Sequence, residues 1–434
     1  GIWWLMITER ATWQYYGPDS GNHGAQTARM KQYMEFASEH GIDSVLVEGW
    51  NEGWDSYPGS GDTMDFDQTY GDFDIEEVTE FGASLDPPVE MTAHNETAGN
   101  TTNYESQLTD GDSAFAYYDD LGIHSIKTGY VADNGVSVDD VTHNHHCQPL
   151  VNHHHLVYRE AAANRQMLNV HEPVKPTGER RRFPNVMTKE GVRGQEYDSF
   201  GGIDPSHHVT FPFTRMVAGP VEYTPGIFDM DSGSGGIETT RAKQLAMYPT
   251  YLSGLQMAAD VVASYLDDSD DSVALGEVTQ AEFGERSDVG TGARWANAQA
   301  AGYVVFDPAQ TSDGSSVSFT ATDIPESGEY DIHVRYSRET PGEGSLTLET
   351  DETTTTVGFP TTERWDTWES TSETVTLPAG ESTVTLRQTP EDGGGAYLDA
   401  VAITDPGDPM PDPPESPIRE PADPAFQFVE DVPA

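Results

Sequence analysis

Residues 167–197 read MLNVHEPVKPTGERRRFPNVMTKEGVRGQEY. Met167–His171 is a short apolar run of strand character that ends on His171-Glu172. A Pro/Gly-punctuated loop with three consecutive arginines, Arg180–Arg182, follows. A second apolar run, Asn185–Thr188, then delivers Glu190 and Glu196. Carboxylates placed just past the ends of short strands are how barrel enzymes assemble acids, bases and metal ligands. The alternative, a solvated acidic surface, has weight in a chain with 74 Asp+Glu.

Working outward, the same pattern recurs. Ile2–Met6, Ser44–Glu48, Val89–His94 and His124–Lys127 read as strands. Between them Thr27–His40, Ile75–Phe81, Ser106–Asp120 and Leu150–Asn164 carry helical spacing. A seventh strand is expected near Phe213–Val217 and a last helix over Ala242–Leu266. Strands alternating with helices of about a dozen residues mean parallel βα units. Polar residues at each strand's C-terminal end favour an α/β fold of the (β/α)8 TIM-barrel type over an open doubly wound sheet. No G-x-G-x-x-G follows the first strand, which removes the dinucleotide-binding alternative.

Composition changes near Asp267. SVSFTA, YDIHVRY, SLTLET, STVTLRQ and AYLDAVAI alternate with period two, separated by turn residues, as an all-β sandwich requires. A Pro-rich run over Asp405–Pro424 reads as a stiff linker, and Phe426–Asp431 again resembles the first domain. The expected organisation is a catalytic barrel over 1–266, an inserted jelly-roll sandwich over 267–405, and a linker returning to the first domain over 406–434.

Lys+Arg 22 against Asp+Glu 74 gives a formal charge of −52. Such a field repels nucleic acid and anionic membrane, so neither is an expected partner. Dispersed basic residues and 10% aromatics fit a folded, halophilic protein rather than a disordered acidic one. The single cysteine, Cys147, excludes an internal disulfide. The chain opens inside an apolar strand, which reads as a fragment; a secreted or cell-surface location is a separate expectation.

Hydrolysis of a glycosidic bond needs one carboxylic acid to protonate the leaving oxygen and one carboxylate to activate water or attack carbon. Glu48, Glu52, Glu96, Glu172, Glu190 and Glu196 are the candidates. Trp50, Trp54, Tyr104 and Tyr130 are stacking candidates, while Lys127, His94 and His171 suit sugar hydroxyls. Converging glutamates call for a hard cation such as Ca²⁺. The histidines at 143, 145, 146 and 153–155 match no zinc spacing and read as packing or hydrogen-bonding residues. Arg180–Arg182 read as neutralising partners of nearby carboxylates.

Long blocks of the chain resemble glycoside hydrolase family 97, the calcium-dependent α-glucosidases and α-galactosidases. They include HGAQTARMKQYMEFASEHGIDSVLVEGWNEGW, DFDIEEV, NYESQL, KTGYV, HEPVKPTG, RRFPNVMTKEGVRGQEY, PFTRMVAGPVEYTPGIFDM and AKQLAMYPTYLSGLQMAAD. The resemblance implies Glu196 as general acid and Glu96 and Glu172 as the bases that activate water. It implies His94, Lys127, His171 and Trp50 as sugar contacts, and Glu172, Glu190 and Glu196 as calcium ligands. Retaining members carry an aspartate nucleophile where this chain has Gly129. Inversion is therefore expected, with acid and base roughly 6.5–9.5 Å apart. The family's His-His-Glu-Thr is here His94-Asn95-Glu96-Thr97, so one sugar contact is expected to differ. Members also have N- and C-terminal β domains, the first with a calcium-ligating glutamate, so these residues alone are expected to bind calcium poorly or to be inactive.

AEFGE, WDTWE and GGGAYLDAVAI resemble carbohydrate-binding modules of the family 6 and 35 type. By that resemblance Glu282 and Asp399 hold a structural calcium, and Trp295, Trp365 and Tyr397 are sugar-stacking candidates; core packing is the competing reading for Trp365 and Trp368. The expected substrate is an α-linked oligosaccharide or polysaccharide. An α-galactosidase and an inactive carbohydrate-binding protein are the alternatives.

Overall fold

The structure is a computed structural model of the chain. It describes residues 2–7, 25–54, 61–109, 113–132, 135–139, 141–199, 203–228, 239–258, 260, 262–265, 271–292, 298, 302–306, 311–340, 342, 344–364, 367–390, 392 and 395–412. Two compact units are present, one within Gly1–Asp260 and one within Val261–Asp423. The expected return of 424–434 to the first domain lies outside the described residues.

Seven parallel strands form the first unit's sheet: β1 Ile2–Ile7, β2 Ser44–Val47, β3 Glu90–Glu96, β4 Ser125–Gly129, β5 Met167–Val170, β6 Val186–Lys189 and β7 Leu255–Ala258. Their order is β6-β5-β4-β3-β2-β1-β7. Strand β1 therefore lies between β2 and the last strand, with Trp4 opposite Ser44 and Ile2 opposite Leu255. A doubly wound sheet reverses direction near its middle; this one runs in cyclic chain order. β2 is buried at every position and β3 at all but its first, as parallel strands covered on both faces must be. A run of buried hydroxyls, Ser44–Thr92–Ser125, crosses β2, β3 and β4 with both contacts at 2.6 Å.

Helices α1 Thr27–Glu39, α2 Ile75–Ser84, α3 Thr101–Thr109, α4 Ala114–Asp120, α5 Gln148–Ala163 and α6 Arg241–Thr250 connect these strands. Local chemistry sets their ends. Asp74, Ser113 and Thr240 each accept a backbone N–H in the first turn of α2, α4 and α6, and Gly41 takes φ +70 just after α1. Among the described residues no helix is long and apolar enough to cross a membrane.

Three expectations fail. The single helix expected over Ser106–Asp120 is instead two, α3 and α4, the second capped by Ser113 in extended conformation. Residues 213–217 are not a strand: they lie in 3-10 turns at Phe211–Phe213 and Arg215–Ala218, with Phe213 82% and Val217 80% exposed. Pro212 sits within the first of these turns and Pro220 follows the second, and neither has an N–H with which to extend a ladder. The chain instead meets the sheet at Glu222, whose N–H donates to the Lys189 carbonyl of β6 at 3.2 Å. The last helix also stops at Thr250 rather than Leu266, and Leu255–Ala258 pairs with β1 as β7. Pro249 sits in that helix's final turn and Gly254 precedes the strand.

The second unit is a β-sandwich. One sheet contains β8 Ser272–Ala274, β13 Ser316–Ile324, β18 Gly380–Arg387, β15 Gly344–Glu349 and β16 Thr354–Phe359 in that order, with β10 Glu285–Ser287 on β13. The other contains β11 Gly290–Gly292, β12 Tyr303–Phe306, β19 Ala396–Thr404, β14 Gly328–Ser337 and β17 Glu369–Leu377, with β9 Val278–Gln280 on β19. Pairing is antiparallel except between β8 and β13. Alternate residues of β13 (Val317, Phe319, Ala321) and β15 (Leu346, Leu348) enter one core with Ile332, Val334, Leu398 and Val401 of the other sheet.

Candidate functional site

The polar residues of the first unit gather where the parallel strands end. Glu48 follows β2, and Glu96 closes β3. Tyr130 follows β4, His171-Glu172 follow β5, and Glu190 follows β6. Lys127 of β4 donates from Nζ to Glu48 Oε1 at 2.6 Å, and His94 Nδ1 stands 3.5 Å from the same oxygen. Register explains the convergence, because His94 and Lys127 are opposite one another on β3 and β4.

Glu96 is buried and held by backbone. Its Oε1 accepts the N–H groups of Ala98 at 2.8 Å and Val131 at 3.1 Å. Burial and the neighbouring Glu172 carboxylate push its pKa up to about 8, against the lowering effect of those two amides. The other oxygen, Oε2, lies over Gly129, where a Cβ would collide with it. Glu172 takes φ +40, a left-handed conformation that costs a non-glycine residue on the order of 1 kcal/mol or more. In that conformation its Oε2 accepts the Tyr130 N–H at 2.9 Å.

A third group centres on His171. Its Nε2 is 2.8 Å from Glu222 Oε2, and its Nδ1 is 3.5 Å from Glu190 Oε2. Burial alone would lower the imidazole pKa, but Glu190 and Glu222 outweigh it and raise it to about 9. Glu190 is pushed up to about 8, first by burial and then by Glu196, Glu172 and Glu222, although His171 opposes this. For Glu222, burial is overcome by the bond from His171, and its pKa falls. Glu196 begins a single helical turn, Glu196–Ser199. Gly194 lets that turn close: a Cβ there would collide with the carboxylates of both Glu190 and Glu196.

His171, Glu172 and Glu190 each bring a ligand atom within 4.8 Å of the others, the one such trio among the described residues. Both ring nitrogens of His171 already face carboxylates, which leaves Glu172 and Glu190 as the oxygen donors of this trio; Glu196 does not join it. Crowded carboxylate oxygens suit a hard cation. The residues present fit calcium.

Other sequence-based expectations resolve differently. Trp50 is fully buried, its indole N–H donates to the His94 carbonyl at 3.1 Å, and its ring meets Tyr118 edge-on. It supports β3 from behind rather than offering a sugar platform. Asn95 also points away from the strand-end carboxylates. It donates to Tyr104 Oη at 3.2 Å and accepts from Tyr118 Oη at 3.0 Å, so the departure from the family's second histidine falls in the core. Tyr104 is likewise fully buried. His153 bridges Glu105 at 2.7 Å and Tyr130 Oη at 3.0 Å, a packing and hydrogen-bonding role. The arginine run does not neutralise carboxylates as expected: Arg180 donates to the Ala218 carbonyl and Arg182 stands over the Phe183 ring, while Lys189 pairs with Glu179.

In the sandwich, Glu282 is buried in the turn Ala281–Phe283, and Asp399 is buried and paired with Arg335. A carboxylate neutralised by arginine is a weak claim on a cation, so no metal is assigned to this pair. Tyr397 stacks on Tyr303 at 5.1 Å, and Trp368 tilts onto the same ring at 5.5 Å. Trp295 and Trp365 lie outside the described residues.

Glu222 escaped the sequence reading. With a strand expected at 213–217, it fell in the following loop. The signal was the Val221-Glu222-Tyr223 alternation between Pro220 and Pro225.

Residues 3–192 match the family model of glycoside hydrolase 97, and residues 283–405 match that of carbohydrate binding module family 6. Over these two stretches the chain is similar to glycoside hydrolase 97 and to carbohydrate binding module family 6.

A glycoside hydrolase family 97 enzyme from Pseudoalteromonas sp. strain K8, solved in complex with panose and with acarbose, superposes with a TM-score of 0.55 at 29% identity. The match covers 92% of this chain and 60% of that one. A retaining alpha-galactosidase of Bacteroides thetaiotaomicron is 25% identical over 268 residues, 59% of this chain and 36% of the relative. A probable retaining alpha-galactosidase of Streptomyces bingchenggensis is 25% identical over 255 residues, 58% of this chain and 35% of the relative. The chain thus spans about a third of the curated relatives' length.

Proposed function

We propose that the first unit hydrolyses α-glucosidic bonds of oligosaccharides with inversion of configuration. The observation that carries this reading is the Glu96 carboxylate lying over Gly129. A retaining mechanism needs a nucleophile that reaches the anomeric carbon, and position 129, where retaining members place theirs, has no side chain. In its ionised form Glu96 is suited to a base: two backbone amides fix one of its oxygens, and burial raises its proton affinity.

In this reading Glu196 gives a proton to the leaving glycosidic oxygen as that bond breaks. Water attacks the anomeric carbon from the opposite side and loses its proton to Glu96, assisted by Glu172. Lys127, His94 and His171 bind and orient sugar hydroxyls. Glu172, Glu190 and Glu196 would hold calcium, which when bound offsets the mutual repulsion of these carboxylates and helps fix the sugar. We further infer that the sheet closes as a (β/α)8 barrel. Its cyclic order leaves only β6 and β7 unpaired with each other, and residues near 221 donate to both Lys189 of β6 and Leu252, just before β7.

The alternative substrate is an α-galactoside, favoured by the similarity to alpha-galactosidases. Panose and acarbose in the solved relative favour glucosides. Paired assays on nitrophenyl α-glucoside and α-galactoside, with E196Q as control, decide between them. Equal silence of wild type and E196Q on both, with calcium present, would leave only a carbohydrate-binding role.

A further inference from the structure

Glu222 lies on a different segment from every residue assigned a role above, yet it is 1% exposed and spends both oxygens inside the site. Oε2 accepts from His171 Nε2 at 2.8 Å, and Oε1 accepts from Thr224 Oγ1 at 2.5 Å. Thr224 takes φ +58, a left-handed conformation rare for a β-branched residue. The backbone of Glu222 is itself anchored, donating to the Lys189 carbonyl at 3.2 Å, one residue before Glu190. Glu222 thus reaches past β6 to a histidine at the end of β5 and is held at both backbone and side chain. Among the described residues His171 has no other hydrogen-bonding side chain at this distance on Nε2; its Nδ1 faces Glu190 at 3.5 Å.

We propose that Glu222 is a positioning residue that fixes the ring of His171, and through it the approach of Nδ1 to Glu190. A histidine ring bound at one nitrogen loses freedom about its side-chain torsions and presents the other nitrogen in one direction. Without that bond the ring is free to turn, and the sugar contact assigned to His171 loses its fixed geometry. The inference rests on the hydrolase reading for its kinetic consequence but not for its structural one.

The test has two arms on the full chain. In ¹⁵N-histidine NMR the His171 resonance, identified by its loss in H171Q, is expected to show a slowly exchanging, downfield Nε2–H proton. That proton disappears in E222A while the other histidines keep their shifts. An unchanged His171 Nε2–H in E222A overturns the proposal whether or not the protein is active. E222Q carries the same arm if E222A does not fold: its amide is the weaker acceptor, so the proton moves upfield, and no movement overturns the proposal. In the kinetic arm E222A is expected to lower kcat/KM at least tenfold, and H171Q/E222A to be no worse than H171Q alone. Losses that multiply in the double variant would show Glu222 acting independently of His171.

Discussion

The carboxylate of Glu96 occupies the space that any side chain at position 129 would need. A buried glutamate and a glycine on adjacent parallel strands, opposite one another in register, are thus a single device. Gly129 does not have the positive φ that would reserve its place for glycine on conformational grounds. Its role is to leave room.

G129A should therefore fold normally yet force Glu96 from its position. The expected loss in kcat is about 10²- to 10⁴-fold, the range for a misplaced general base. E96Q should lose a similar amount. Steady-state kinetics with thermal melts check both, and a fully active G129A would show that Glu96 has no role as base.

Asn95 tests a correction to the sequence reading. N95A leaves the Tyr104 and Tyr118 hydroxyls short of a partner in the core, although Tyr118 keeps its bond to the Phe66 carbonyl. The cost should be about 1–3 kcal/mol in denaturant unfolding. Because the side chain faces the core, KM of the folded variant should stay within about twofold of wild type, a judgement from this orientation.

Stability should also depend on pH through Glu96. In the folded chain it holds its proton up to about 8, whereas an unfolded glutamate releases it near pH ~4.3. Between those values the folded state binds more protons, so this contribution weakens as pH rises and is fully lost above about 8. With a chelator present, the melting temperature of wild type should fall relative to E96Q across that window.

Calcium should raise the melting temperature by joining Glu172, Glu190 and Glu196. At a hundredfold excess over its Kd, a ligand specific for the folded state adds about 2.7 kcal/mol, on the order of 5 °C for a unit of this size. E190Q should lose most of that gain, and differential scanning calorimetry with and without a chelator measures it.

The parallel strands were legible because their apolar runs are continuous and bounded by helical spacing, and the sandwich strands because they alternate. The carboxylates at 96, 172 and 190 were legible as strand-end residues. What the sequence hid depended on tertiary partners. Phe213 and Val217 have the apolarity of a strand, yet they sit in exposed turns between prolines. Leu255–Ala258 continues the apolar character of the preceding helix, and its pairing with β1 spans most of the unit. Trp50 and Asn95 carry the right chemistry for sugar binding. Only the direction of each side chain, set by packing against Tyr118 and Tyr104, separates support from contact. Glu222 was hidden for the same reason as the misplaced strand before it.

The most direct test of the account is the configuration of the first-formed product. Proton NMR of an α-glucoside digested by the protein with calcium should show the β-anomer appearing first and the α-anomer growing only by mutarotation. An α-anomer appearing first would mean retention and would contradict the assignment of Glu96 as a base aimed at water.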